Sequence, residues 1–497
     1  MMQLNKQVYE TLKQEPVPSY PEKILQFGEG NFLRGFTGWM VQKMNKQGIF
    51  QGQIVAIQPT PHGKVVPKLN AQEGLYTFVQ KGMDQGETVD QAEVITAISR
   101  GINPYEAWQS VLDVAASPDI CVIFSNTTEA GLVYEKEDME PGKAPLSFPG
   151  KLTLALEHRF QQGLSGVFII PCELVEGNGD LLKEIVLKKA EDWELSAGFV
   201  EWLLVQNTFC NTLVDRIVPG FPKGQEEAYE KRLGYQDDLI VIGEPYHLFA
   251  IDDDEKRLED VLPLKAAGIN VHYGDVQPYR DMKVALLNAP HTSMFALAYL
   301  AGIDTVGEVM NDSLLRSFTE EAMSKELIPV FKAEATEKEA FAVAVLERFE
   351  NPFTKHNLTD LGMNATQKWR TRVLPLFHAY VSKYDAIPPL LSLSLAGLIA
   401  YEKPIAREGA FLKGQRGSDT YQIRDSDAAI DLFEEQWGLY DQGELTIREL
   451  VQAILAAKEL WGMSLADVEG LSETVTAGLE DIRRLKVRGA IEKRLKS

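Results

Sequence analysis

The sequence predicts an α/β fold: an N-terminal Rossmann-like domain with a mostly parallel sheet, followed by a mainly α-helical C-terminal domain. Three observations carry this. Short apolar runs alternate with amphipathic stretches through the first half of the chain, the pattern of parallel strands covered by helices. Near residue 275 the text changes to helical periodicity with few β-branched runs. At 497 residues and 55.5 kDa the chain is also too long for one hydrophobic core.

The strand-like runs, in order, are ILQF (24–27), QIVAIQ (53–58), VITAIS (94–99), ICVIFSN (120–126), GVFIIPCE (166–173) and DLIVIGE (238–244). Each is short and rich in Val, Ile or Phe, as strands buried on both faces are. Between the first two lies NFLRGFTGWMVQKMNKQG, where Phe32, Phe36 and Met40 recur every four residues and Gly48 can end the helix. VHYGDVQPYRDM (271–282) is the natural junction, so the expected domains are 1–274 and 275–497. Helical periodicity then covers 282–302, 307–349, 363–384, 389–401, 427–438, 446–461 and 472–496. The longest apolar stretch, IPPLLSLSLAGLIAY (387–401), is too short and too rich in serine to span a bilayer and reads as a buried helix.

Composition narrows the function. The formal net charge is −22, with 72 acidic and 50 basic residues, which repels phosphate backbones and anionic membranes. Nucleic-acid and membrane partners are therefore not expected. An anionic substrate would need locally placed Arg or Lys. Cys121, Cys172 and Cys210 lack C-x-x-C spacing and read as thiols of a reducing compartment. With no apolar segment at the start of the sequence, the expected location is the cytoplasm.

ILQFGEGNFLRG (24–35) poses the first functional question. Gly28 and Gly30 follow a strand and precede a helix, whose N-terminus can hold a pyrophosphate through backbone N–H groups and its dipole. Arg34 can add a charge contact. The usual third glycine is absent: Leu33 stands there and the next glycine is Gly35. The second strand ends in Gln58, where an Asp or Glu would hold a ribose hydroxyl. On this stretch alone, a cofactor cradle and a plain tight turn are equally good readings.

YRDMKVALLNAPHTSMFALAYLAG (279–302) holds Lys283, Asn288 and His291. At ~100° per residue these project within an arc of roughly 140° on one helix. Pro290 must kink that helix or lie near its start. An amine withdrawn from water can serve as general acid–base, an amide can donate to an alkoxide-like oxygen, and an imidazole can fix a hydroxyl. That set suits carbonyl reduction, although spacing alone favours three scattered polar residues on a junction helix.

The pattern K-x4-N-x2-H after PYxxMK resembles the polyol-specific long-chain dehydrogenases, the mannitol dehydrogenase family. NTLVDRIVPG (211–220), FGEGNFLRG, TTEAG (127–131), IGEPYHLFAI (242–251) and RFENP (348–352) are similar to further blocks of that family, in the same order along nearly the whole chain. LQFGEGNFLRGF, PCELVEGNGD and LNAPHTSMFALAYLAG look most like its tagaturonate-reducing branch. The resemblance implies NAD-dependent, zinc-independent reduction of D-tagaturonate to D-altronate in hexuronate catabolism. Fructuronate reduction, oxidation of a mannitol-type polyol and a non-catalytic NAD-binding role are the alternatives.

It further implies that Lys283 is the acid–base, Asn288 the oxyanion donor and His291 a substrate holder. NAD would be held by Gly28, Gly30, Asn31, Phe32, Arg34, Gln58, Thr128 and Asp215, with Asp215 and Arg216 forming an ion pair nearby. Two departures matter. Leu174 stands where polyol enzymes carry a second oxyanion Asn, and Arg280 stands where they carry Glu. An Arg there suits a substrate carboxylate, unless it faces solvent or pairs with Asp275 or Asp281. Lys355, His356 and Lys368 lie where the family places substrate-contacting basic residues. His62, His158, His247, His272 and His378 have no ligand-like spacing, so no metal site is expected. The expected partner is a small sugar acid, and the expected assembly a monomer or small homo-oligomer.

Overall fold

The computed structural model describes residues 1–496, and the chain divides into two compact units, Met1–Tyr279 and the remainder from Arg280. In the first unit, β1 (Glu22–Phe27), β2 (Gln53–Ile57), β3 (Tyr76–Asp84), β4 (Glu87–Ile95), β5 (Ile98–Ile102), β6 (Val122–Ser125), β7 (Phe168–Pro171) and β8 (Thr208–Phe209) follow in sequence. Six of them form one sheet in the order β5-β2-β1-β6-β7-β8, with every pairing parallel. The strand order reverses between β1 and β6, so the crevice beyond their carboxyl ends is the natural ligand position in an open α/β sheet.

Both faces of this sheet are covered, which explains its continuous apolar strands. Ile24, Ile54, Ala56, Val122, Phe124 and Ile170 pack on one face with Phe36, Met40 and Met44 of the helical run that begins at Asn31. Leu25, Phe27, Val55, Ile57, Ile123 and Ile169 pack on the other. There they meet the helices Phe148–Gln161, Asn178–Asp192 and Ala197–Gln206. Alternate residues of each strand thus serve opposite cores.

The apolar run 94–99 is not one strand. It spans the end of β4 and the start of β5, and the chain turns at Thr96, whose N–H and hydroxyl both donate to Gln42 Oε1 (2.9 and 3.1 Å). The β3–β4 hairpin escapes the sequence reading because β4 is mostly exposed and polar. Gln85 and Gly86 connect the pair, both at positive φ (53° and 80°), as a tight primed turn requires. Further strands β9 (Thr212–Asp215), β10 (Val241–Gly243), β11 (Leu248–Ile251) and β12 (Val271–Tyr273) complete the unit: β10 joins β3, and β11 lies between β9 and β12.

The second unit is mainly helical. Pro389–Tyr401 is buried along almost its whole length and packs against Ala289–Leu300 and Leu471–Leu495. At Gly397 an added Cβ would stand 2.6 Å from Leu297 Cδ2, so this glycine sets how closely the first pair approaches. Among the described residues no helix is long and apolar enough to cross a membrane. Residues 406–423 form a small antiparallel sheet, β13 (Ala406–Glu408), β14 (Phe411–Arg416) and β15 (Asp419–Ile423), which helical periodicity does not foresee.

Glu402, just past the buried helix, is fully enclosed, and neither carboxyl oxygen has a hydrogen-bond partner. Burial, reinforced by Asp425, holds its pKa well above the usual carboxylate range. The folded state therefore keeps a proton that the unfolded chain releases above about pH 4.3. Stability is unaffected below that pH, and as pH rises toward the folded pKa it falls by ~1.4 kcal/mol per unit. Glu402→Met should leave stability nearly unchanged at pH 4.5 and raise it by about 1–3 kcal/mol at pH 8. Thermal unfolding at the two pH values checks this; a pH-independent difference would refute it.

Candidate active site

In the first unit, candidate residues gather at the carboxyl ends of β1, β2 and β6. Gly28 follows β1 at φ +119°, and a Cβ there would stand 2.8 Å from the Asn126 carbonyl oxygen beyond β6. Both its backbone and this close approach demand glycine. Gly30 is the opposite case. Its backbone is ordinary extended chain (φ −65°, ψ 173°), yet nothing lies within 4 Å of where its Cβ would be. The space above the helix N-terminus, whose first residues are Asn31 and Phe32, is open to a ligand.

The next glycines along, Gly35 and Gly38, allow a different close approach, to β3 and the Val218 segment outside the six-stranded sheet. A Cβ on Gly35 would stand 3.1 Å from Val218 Cγ1, and one on Gly38 would stand 2.2 Å from Tyr76 Oη. A π-helical turn, Arg34–Gly38, carries both glycines.

Arg34 is turned inward. Its guanidinium is buried, donating to the Glu29 carbonyl (2.7 Å) and Asn31 Oδ1 (2.8 Å) and lying 5.6 Å from the centre of the Tyr76 ring. It braces the loop from beneath and offers no exposed charge to a phosphate. Glu29, between the two glycines, is pushed up to about 7 by burial, with Arg34 opposing.

Gln58 ends β2. Its Nε2 donates to the Thr60 carbonyl at 2.7 Å, while Oε1 is buried with no hydrogen-bond partner. Beyond β6, Thr128 sits at φ 67°, ψ 167°, a conformation that costs a non-glycine residue about 1–3 kcal/mol. Strain of this kind clusters at functional sites. Neighbouring Thr127 is anchored through its N–H and hydroxyl to Glu173 Oε1, and Ser125 donates to Glu173 Oε2. Burial raises the Glu173 pKa despite those bonds. Leu174, next along, is 64% exposed and offers no amide.

Phe32 stacks on Phe36 with centroids 5.0 Å apart. Asp215 is buried at the end of β9. Arg216 lies between the Trp39 and Phe78 rings (4.2 and 4.7 Å) and donates to the carbonyls of Gly35 and Glu244. Burial pulls its pKa down to about 9, with Glu244 opposing.

The helical unit carries a candidate set of its own. Gln277–Lys283 leads into a π-helical turn, Val284–Asn288, and then into Ala289–Leu300. The widened turn takes up Pro290, which falls at the start of the last segment where its missing N–H matters least. Turns of this kind often mark functional sites. They also change the phase along the helix, so the arc expected for an undistorted helix does not carry across it. Lys283 precedes the turn and Asn288 ends it, and both are half-buried.

His291 is buried, 4.2 Å from Phe349 and 4.8 Å from His356 between ring centroids, and its Nε2 has no hydrogen-bond partner. Burial drives its pKa well below the usual imidazole range, helped by His356, Arg348, Arg372 and Lys368. The ring is therefore neutral, and an orphaned nitrogen is available to a substrate hydroxyl.

Of the other expected residues, His356 and Lys368 join this set. Lys368 is half-buried and donates to the carbonyls of Asp360 and Leu361 (3.2 and 3.1 Å). Burial lowers its pKa, with Arg372 adding to the effect. Lys355 is exposed and is not among the groups acting on His291. Arg280 is half-buried, and Asp275 accepts from the Gln277 N–H. Arg348, which opens the RFENP block, and Arg372, four residues after Lys368, act on His291 as well.

A sequence profile for the mannitol dehydrogenase Rossmann domain matches residues 22–262, and one for the mannitol dehydrogenase C-terminal domain matches 275–483. The chain belongs to the mannitol dehydrogenase family. It is thus an oxidoreductase acting on CH–OH groups. Among curated members of the mannitol dehydrogenase family, it is 51% identical over 476 residues to the altronate oxidoreductase of Halalkalibacterium halodurans, covering 95% of this chain and 93% of that one. It is 39% identical over 487 residues to the altronate oxidoreductase of Klebsiella pneumoniae, covering 96% and 98%. Among solved structures, a D-sorbitol dehydrogenase in substrate-free form matches with a TM-score of 0.77 at 20% identity, covering 99% of this chain and 100% of that one. The Pseudomonas fluorescens mannitol 2-dehydrogenase, in ternary complex with NAD and D-mannitol, matches with a TM-score of 0.67 at 20% identity, covering 100% of each. These two share the fold.

Proposed function

We propose that this chain catalyses the reversible, NAD-dependent reduction of D-tagaturonate to D-altronate. The observation that carries the reading is the 51% identity, over 95% of the chain, to a relative named altronate oxidoreductase. The sheet crevice fits a dinucleotide: Gly30 leaves the helix N-terminus open, and the orphaned Gln58 Oε1 suits a ribose hydroxyl as donor. A 2′-phosphate has no such hydrogen to give at neutral pH, which favours NAD over NADP. Bound NADH supplies the hydride for the ketone carbon.

The chain's own residues do the rest. Asn288 donates its amide N–H to the oxygen on which negative charge develops, and Lys283 delivers the proton that turns it into a hydroxyl. Neutral His291 accepts from, or donates to, a neighbouring substrate hydroxyl through Nε2 and so fixes the ketone against the amine. In the oxidising direction Lys283 takes the proton back. The cations around His291 supply the positive field that a sugar acid needs within an acidic protein.

The test is oxidation of NADH, followed at 340 nm, with tagaturonate, fructuronate and fructose offered separately and repeated with NADPH. Fast turnover with tagaturonate and NADH is expected. Preference for fructose would discard the sugar-acid reading, and bound NADH with no turnover of any ketone would point to a non-catalytic binding protein.

A further inference from the structure

The basic set around His291 contains one cation with nothing to neutralise it. Lys368 is committed to two backbone carbonyls and feels Asp360 and Asp425. Arg348 is buried and already engaged. Lys355 is exposed. Arg372 differs from all three: it is half-buried, makes no hydrogen bond or ion pair among the described residues, and no carboxylate acts on it.

Its position gives this meaning. Arg372 sits on a second π-helical turn, Trp369–Val373, which packs against both the turn Val284–Asn288 and the helix Ala289–Leu300. Two widened turns thus adjoin, one preceded by Lys283 and ended by Asn288, the other carrying Arg372. Trp369 and Val373, fully buried on either side of it, fix the backbone from which the guanidinium projects. Arg372 acts electrostatically on both His291 and Lys368, whereas Arg280 is not among the groups acting on His291.

Resting on the sugar-acid reading above, we propose that Arg372 is the residue that recognises the substrate's carboxylate, pairing with it beside His291 and so separating sugar acids from neutral ketoses. An unpaired, partly desolvated guanidinium is costly to hold without an anion, and its planar fork matches a carboxylate in two-point contact. Lys368 at the same rim is a point charge already in use. Arg280 then serves elsewhere, and its replacement should matter less.

The experiment measures kcat and KM of wild type, Arg372→Gln, Arg372→Lys and Arg280→Gln on tagaturonate and on neutral tagatose, with NADH affinity from protein fluorescence. Arg372→Gln should raise the tagaturonate KM by roughly 100-fold, in the range for truncating one partner of a desolvated charge pair. Its kcat should change little, and NADH affinity and the tagatose KM should not change. Arg372→Lys should fall between, and added guanidinium ion should partly restore Arg372→Gln. A tagaturonate KM within about threefold of wild type, or equal losses on both ketoses, overturns the assignment. So does a larger loss in Arg280→Gln. If Arg372→Gln does not fold, the KM of Arg372→Lys decides. Wild type inactive on tagaturonate but active on tagatose defeats the sugar-acid reading itself; an active wild type with an unaffected variant defeats only Arg372.

Discussion

Replacing Lys283 with methionine is expected to lower kcat on tagaturonate by about 10²–10⁴-fold, the usual worth of a positioned general acid–base. NADH affinity and thermal stability should stay close to wild type. The reasoning is local. Lys283 is half-buried, so methionine can replace its stem without opening a cavity in a close-packed core, while the group that moves the proton is lost. It also stands at the start of the π-helical turn, whose bonds are backbone bonds and survive the substitution. Single-turnover reduction at saturating NADH reads the chemical step directly. A loss confined to KM would mean that Lys283 binds substrate without transferring the proton.

Gly30→Ala is expected to weaken NADH binding by about tenfold or more, equivalent to at least ~1.4 kcal/mol, while apoprotein stability stays within about 1 kcal/mol of wild type. The unusual feature is the separation of the two effects. No protein atom meets a Cβ at this position and the backbone is unstrained, so only a ligand can object to the methyl group. Gly28→Ala is the contrasting control, because its left-handed φ and the Asn126 carbonyl penalise the folded state itself. Calorimetric NADH binding alongside thermal unfolding of both variants checks the pair. Full NADH affinity in Gly30→Ala would move the cofactor away from this turn.

Physical reasons divide what the sequence reveals from what it hides. The core strands at 24–27, 53–58, 120–126 and 166–173 are legible because a parallel sheet covered on both faces demands unbroken apolar runs. The β3–β4 hairpin is hidden because β4 is largely exposed and carries Glu87, Asp90 and Gln91 where a buried strand would carry apolar residues. The break at Thr96 is invisible because both flanking segments are β-branched, and only the bonds to Gln42 show the turn.

Lys283, Asn288 and His291 stand out by residue type, but their spacing decides nothing, and only the family resemblance gives them roles. The π-helical turn that holds them leaves only Pro290 as a hint. The buried ends of Arg34 and Arg216 could not be foreseen. Arg34, beside a glycine turn, reads as a charge contact and Arg216 as an ion-pair partner, and only the folded chain shows both donating to backbone carbonyls among aromatic rings. Arg372 was hidden for the converse reason: its meaning depends on which turn it packs beside.

The most direct test of the central claim is product analysis after reaction of tagaturonate with NADH deuterated at the transferring position of nicotinamide C4. The account predicts altronate carrying deuterium on the carbon that was the ketone, formed in step with NADH consumed. An epimeric aldonate, or altronate without the label, would contradict it.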